Sequence, residues 1–264
     1  MSGTVYLVGA GPGAPDLLTV RAVRLLGEAE MVFYDALIHP GTLALAAKAE
    51  KIPVGKRSGR HSSAQHFINK RLLDAARRHR VVVRLKGGDP MLFGRAHEEI
   101  GFLKKHGVAV EIVPGVTAAL AASAELQISL TRRGAARSVS FVTPRVGASE
   151  QPSGWVQAVL AADTAAIYMG TGEAVKIAAA LIAAGKPRAT PVVVMENASL
   201  PDSKALSGTL ERLPSLAEAM GGGPVIILLG EVYGEAVLLN TTEGSQVESS
   251  GTNMYSRSTT TKAG

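Results

Sequence analysis

TVYLVGAGPGAPDLLTVRAVRLLGEAEMVFYD, residues 4–35, is the stretch whose reading decides the fold class. It opens on an apolar, β-branched run, Thr4–Val8, of strand length. Glycines at positions 9, 11 and 13 then break the run and allow a sharp turn. Thr19 stands where an N-cap belongs, ahead of a helix candidate over Thr19–Glu28. A second short apolar run, Met31–Tyr34, follows and ends at Asp35. Strand, turn, helix and strand in that order make a βαβ unit, which joins two parallel strands.

The alternation continues on either side of this unit. Further strand candidates are Val81–Leu85 and Val110–Val113, and helix candidates are Pro40–Ala49, Ser62–Arg78 and Arg95–Lys105. Ser62 suits an N-cap and Pro40 a first helical turn. The later half offers strands at Ser138–Val142, Ala165–Tyr168, Val192–Met195 and Val225–Leu229, with helices at Ser153–Ala161, Thr171–Ala184 and Leu210–Ala219. After the Asn197–Ser203 loop, Ala205–Gly208 can return as a hairpin-like strand, which makes the second sheet mixed. Val113-Pro114-Gly115 punctuates the chain. The expected organisation is an α/β domain over 1–114, a second α/β domain over 115–240, and a Ser/Thr-rich tail over 241–264. That tail has too few large apolar residues to offset its ordering entropy and is expected to be disordered.

Composition bounds the function. Of 264 residues, 46% are hydrophobic but only 4% aromatic, so the core is built of Ala, Val, Leu and Ile. There is no cysteine, which excludes disulfides, thiolate metal sites and a cysteine nucleophile, and fits a reducing cytoplasm. A net charge of +6 favours anionic partners without choosing among nucleic acid, membrane surface and acidic metabolites. Met1–Thr4 carry no basic run and Val5–Val8 is too short for a signal core, so no leader is expected. No apolar run approaches the roughly 20 residues of a membrane span. His61, His66 and His97 show no metal-ligand spacing, and no metal site is expected.

Three small-residue loops carry the chemistry. Gly9–Gly13 follows the first strand and nearly fits a dinucleotide fingerprint, with Asp35 placed as a ribose-binding acid would be. A plain tight turn explains it too. Lys86-Gly87-Gly88-Asp89-Pro90 closes the Val81–Leu85 strand at the carboxyl edge, where open α/β sheets bind ligands. Asp89 there is either a cap or a ligand contact. Pro114-Gly115-Val116-Thr117-Ala118-Ala119 opens an alanine-rich helix that lets a backbone or a flat ligand come close.

Taken in order, these loops resemble the tetrapyrrole methyltransferase family. The resemblance rests on Gly9–Gly13 with Pro15–Thr19, Tyr34-Asp35-Ala36-Leu37, Gly55-Lys56-Arg57, Arg84–Pro90 with Phe93-Gly94-Arg95 and Glu98-Glu99, and Val113–Ala119. It extends more softly through Tyr168-Met169-Gly170 and Val194–Asn197. It implies two α/β domains with S-adenosylmethionine in a cleft between them, usually within a homodimer. It also implies an anionic tetrapyrrole as partner, methylated at two ring carbons of uroporphyrinogen III to give precorrin-2, with S-adenosylhomocysteine as by-product. By position, cofactor contacts fall on Pro12, Gly87, Gly88, Asp89, Leu92, Thr117, Ala118, Met169 and Ala198. Asp35 matches the family's proton acceptor and Lys56 its proton donor.

The substrate's acetate and propionate rim makes Arg57, Arg60, Arg84, Arg95, Arg132 and Arg133 candidates for charge-assisted pairing. The chain departs from its relatives where they commonly show Thr-His-Arg and Thr-Gly-His: it has Thr131-Arg132-Arg133 and Thr143-Pro144-Arg145. Ala14, Ala96 and Ala198 also replace common residues, while the cofactor loops are hardly touched. Alternatives at this point are a methyltransferase of the same fold acting on a later precorrin or on RNA, a nicotinamide oxidoreductase, and a non-catalytic tetrapyrrole-binding protein. The Lys86–Pro90 context argues against RNA.

Overall fold

A computed structural model describes residues 3–54, 62–146 and 153–236. Lys56, Arg57, Arg60, His61 and the 241–264 segment lie outside the described residues. The chain divides into two units, Met1–Ala118 and Ala119–Gly264.

The first unit holds β1 (Thr4–Gly9), β2 (Met31–Tyr34), β3 (Glu50–Pro53), β4 (Val81–Lys86) and β5 (Ala109–Val113). They form one sheet in the order β3-β2-β4-β1-β5, and every pairing is parallel. Its helices are α1 (Val20–Glu28), α2 (Pro40–Ala44), α3 (Ser62–Ala76) and α4 (Ala96–Lys105). The Thr19 hydroxyl accepts the Ala22 N–H at 3.2 Å and so caps α1 as its sequence predicts. Alternate residues of each strand serve opposite faces. Val5, Leu7, Phe33 and Val82 pack with Leu72 and Leu103 of α3 and α4, while Val8, Val32, Val83 and Leu85 pack with Ala22, Leu25 and Leu26 of α1. A sheet covered on both faces needs near-continuous apolar strands, which is the pattern that Thr4–Val8 and Val81–Leu85 show.

The second unit opens on α5 (Ala118–Leu126). It continues through β6 (Val139–Val142), α6 (Trp155–Ala161), β7 (Thr164–Tyr168), α7 (Ala174–Ala183), β8 (Pro191–Glu196), β9 (Lys204–Thr209), α8 (Leu213–Glu218) and β10 (Val225–Gly230). The sheet order is β6-β7-β10-β8-β9. β6 and β7 are parallel; the β7–β10, β10–β8 and β8–β9 pairs are antiparallel. The sheet is therefore mixed, as the returning segment at Ala205–Gly208 suggests. Interior β8 is buried at all six positions.

Four elements differ from the sequence expectation, among them the helix expected over Thr171–Ala184, which opens as a 3-10 turn at Thr171–Glu173 before α7. β3 is an additional edge strand; two of its four residues, Glu50 and Lys51, are charged and exposed, so no apolar run announces it. α2 ends at Ala44 instead of Ala49, because residues 45–49 turn to bury Ala46 and Ala49 before β3. The helix expected over Leu210–Ala219 becomes a 3-10 turn at Leu210–Arg212 followed by α8, whose first turn Pro214 suits.

Candidate active site

The first unit's sheet brings its loops to one edge, because parallel strands end together. The carboxyl end of β1 leads into Pro12, that of β4 into Gly87-Gly88-Asp89, that of β2 into Asp35, and that of β5 toward Thr117. Two of these loops are stitched backbone to backbone. The Gly11 N–H donates to the Gly88 carbonyl at 3.2 Å, and the Gly88 N–H to the Gly11 carbonyl at 2.7 Å. Gly88 holds φ 63°, a conformation that suits glycine. A Cβ on Gly9 would lie 2.6 Å from the Gly115 Cα, and one on Gly115 would strike the Gly88 carbonyl oxygen. Gly87 instead is exposed, with nothing within 4 Å of an added Cβ. Asp89 is committed to its own backbone: Oδ1 accepts the Met91 N–H at 2.7 Å and Oδ2 the Gly115 N–H at 2.9 Å. Leu92 is half-buried one turn on, its N–H donating to the Asp89 carbonyl. Thr117 is buried.

Beneath this edge lies a buried ionic cluster. Arg84 and Lys86 are two residues apart on β4, so both project to the α3 and α4 face. Arg84 is 3% exposed. Its Nη2 donates to Asp35 Oδ1 at 2.6 Å, its Nε to Glu99 Oε1 at 3.1 Å, and its Nη1 to the Leu85 carbonyl at 3.1 Å. Glu99, on α4, is fully buried. It also accepts Lys86 Nζ at 3.3 Å on each oxygen and Gln65 Nε2 at 3.2 Å. Two cations and two carboxylates thus balance. Burial works against the Arg84 charge, yet Asp35 and Glu99 outweigh it and its pKa is raised. Burial pushes the Lys86 pKa down, with Arg84 adding to the effect, although Glu99 and Asp35 oppose it.

This geometry departs from the expectation that Arg84 awaits a substrate carboxylate: it is buried, and each of its three nitrogens already donates, to Glu99, the Leu85 carbonyl and Asp35. Asp35 remains 31% exposed at the side chain. Arg95, at the start of α4, grips Glu98 through Nε at 2.6 Å and Nη2 at 2.8 Å, and this holds the Glu98 pKa down.

In the second unit, β7 and β8 both run antiparallel to β10, so their carboxyl ends share one sheet edge. Met169 follows β7 and is exposed, with φ 56°. Ala198 follows β8 and is buried between Asn197 at φ 53° and Ser199 at φ 76°. Ala118 begins α5, and the Tyr168 hydroxyl accepts the next N–H, that of Ala119, at 3.3 Å. Arg132 pairs with Glu235 at 3.2 Å on the surface. Sequence reading gave no role to Glu99, Lys86 or Glu125. Two cations spaced i and i+2 inside an apolar strand were the available signal for the first two. Among the described residues, no cluster of acids and histidines could hold a metal, and no helix is long and apolar enough to cross a membrane.

The family model for tetrapyrrole (corrin/porphyrin) methylases matches residues 4–214. The chain belongs to that family, whose members are S-adenosylmethionine-dependent methyltransferases. In particular, it is 42% identical to uroporphyrin-III C-methyl transferase from Thermus thermophilus, solved in complex with S-adenyl homocysteine. The two structures share a TM-score of 0.77 over 88% of this chain and 100% of that one. A cobalt precorrin-4 methyltransferase is 31% identical, with a TM-score of 0.76 over 87% of this chain and 95% of that one. Siroheme synthase 1 of Cronobacter sakazakii is 44% identical over 231 residues, 87% of this chain and 49% of that protein. The chain spans about half the length of the curated relatives it matches. The α/β architecture, one parallel and one mixed sheet, is that of the tetrapyrrole methylases.

Proposed function

We propose that this chain methylates uroporphyrinogen III at two ring carbons in succession, with S-adenosylmethionine as donor, and yields precorrin-2 for siroheme and cobalamin synthesis. The observation that carries the reading is the 42% identity along the whole length of a solved uroporphyrin-III C-methyl transferase. The local structure fits the donor. Gly87 offers exposed, bare backbone at the sheet's carboxyl edge, with nothing within 4 Å of where a Cβ would stand. Pro12, Gly88, Asp89, Leu92 and Thr117 stand at the same edge of the first unit, and Met169 and Ala198 at one edge of the second sheet.

When bound, the donor supplies a methyl group on an electrophilic sulfonium. The chain's task is alignment, so that the new carbon–carbon bond forms in line with the carbon–sulfur bond that breaks. Each methylation releases one proton from the macrocycle. In this reading Asp35 accepts it: Arg84 fixes one carboxylate oxygen, while the group stays reachable from solvent. Lys56 is the matching donor by sequence position. Arg57, Arg95 and Arg132 face the substrate's carboxylates in this reading, with Arg95 and Arg132 first releasing Glu98 and Glu235. The same reading has the chain act in the cytoplasm as a homodimer, which light scattering of the purified protein checks.

A later precorrin is the second reading, favoured by the cobalt precorrin-4 methyltransferase match. Incubation with uroporphyrinogen III, made anaerobically in situ, and methyl-labelled S-adenosylmethionine separates the two. Gain of two methyl groups by mass supports the first reading. Methyl gain only on a later precorrin supports the second, and binding of S-adenosylhomocysteine without transfer to any tetrapyrrole sinks both.

A further inference from the structure

Glu125 sits in the last turn of α5, where the helix dipole disfavours a carboxylate. Its two oxygens are nevertheless employed. Oε2 accepts the Ser199 backbone N–H at 2.8 Å, and Oε1 accepts the Ser203 hydroxyl. The clamped segment, Asn197–Ser203, follows β8 and carries two residues at positive φ, Asn197 and Ser199, on either side of Ala198. Within the segment the Leu200 N–H donates to the Asn197 carbonyl at 2.9 Å, the Ser203 N–H to the Leu200 carbonyl at 3.0 Å, and Asn197 Nδ2 to Asp202 at 2.9 Å. The Ser199 amide is held by Glu125, from 74 residues earlier in the chain. The same helix is held at its first turn by Tyr168, the residue before Met169. One short helix therefore ties both donor-side turns of the second sheet, one at each end.

We infer that Glu125 is a positioning residue for the methyl donor, acting through the Ser199 amide to fix the loop that presents Ala198. The inference rests on the reading of Ala198 as a donor contact. Glu125 itself touches neither donor nor substrate in this account. Its contribution is to hold in place a backbone shape that the loop's own residues disfavour.

Glu125→Gln keeps the size of the side chain but exchanges the charge and one acceptor oxygen for an amide, so the Ser199 N–H keeps at best a neutral acceptor, and Ser203→Ala removes only the hydroxyl donor. Hydrogen exchange at the Ser199 amide reads the clamp, and calorimetry with S-adenosylhomocysteine reads its consequence. In Glu125→Gln the Ser199 amide exchanges faster and the dissociation constant rises up to about tenfold, the effect of trading a charge-assisted hydrogen bond for a neutral one. Ser203→Ala gives a smaller rise. The melting temperature moves by only about 2–4 °C, so the loss is one of affinity and not of folded protein. Unchanged affinity in Glu125→Gln, while the parent binds, overturns the inference and leaves the donor reading intact. Unchanged Ser199 exchange overturns it as well. Failure of the parent to bind S-adenosylhomocysteine overturns the donor reading and the inference together.

Discussion

In the first unit the tight turns at the sheet's carboxyl edge are made with glycine, although Phe93 and Arg95, further along the loop after β4, also take positive φ. Gly88 takes the left-handed conformation without a Cβ to resist it, and Gly9 and Gly115 meet backbone to backbone. In the second unit the turns after β7 and β8 are made with Met169, Asn197 and Ser199, all at positive φ. Such residues cost about 1 kcal/mol or more each in that region and persist only where the surroundings hold them. Here the surroundings are side chains: the Tyr168 hydroxyl on the Ala119 amide, Glu125 on Ser199 and Ser203, and Glu196 on the Gly221 and Gly223 amides. One unit writes its carboxyl edge mainly into the backbone, with the Asp89 carboxylate on the Gly115 amide beside it. The other writes it into polar clamps that reach across the sequence.

Four substitutions test that contrast. Arg84→Met has the largest expected effect: it leaves fully buried Glu99 and half-buried Asp35 without their guanidinium partner and should lower unfolding free energy in denaturant by about 3–5 kcal/mol. A loss below about 1 kcal/mol would mean that the cluster does not hold the first unit's edge. Asp35→Asn should slow methyl transfer by about 100-fold or more while leaving S-adenosylhomocysteine affinity near that of the parent. Full activity in that variant removes Asp35 from the chemistry. Gly115→Ala should cost about 1–3 kcal/mol and weaken donor binding, because a Cβ there meets backbone atoms that cannot rotate away. A neutral result would show the glycine contact to be slack. Met169→Gly has the smallest effect and the opposite sign: release of its positive φ should stabilise by at most about 1 kcal/mol, offset by the added freedom of the unfolded chain. Affinity for the donor should fall at the same time. A melting temperature lower than the parent's would show that the turn after β7 stores no strain.

The contrast also explains what could be read in the sequence. Glycines at 9, 87, 88 and 115 are visible as letters, so the first unit's edge and its parallel sheet were legible. The turn and the short run at Ala205–Gly208 made the second sheet's mixed character legible too. Arg84 was read as a cation awaiting an anion, because its partners lie 49 and 15 residues away and only the fold brings them to it. Glu99 stood inside a recognisable motif, but a fully buried acid can be recognised only once α4 is packed on the sheet. Glu125 gave no signal at all: its partners come 74 and 78 residues later. β3 was hidden by its charges, since an edge strand need not be apolar.

The meeting of Gly9 with Gly115 also bears on how this molecule can change. At most packed contacts, enlarging one residue can be balanced by trimming its neighbour. Neither glycine has a side chain left to trim, and a Cβ on either meets the other's main chain or the Gly88 carbonyl. No second substitution at these positions can make room for the first. The crossing of the β1, β4 and β5 ends is thus a junction without local suppressors, and a chimera that borrows one of the three loops from another scaffold must borrow all three.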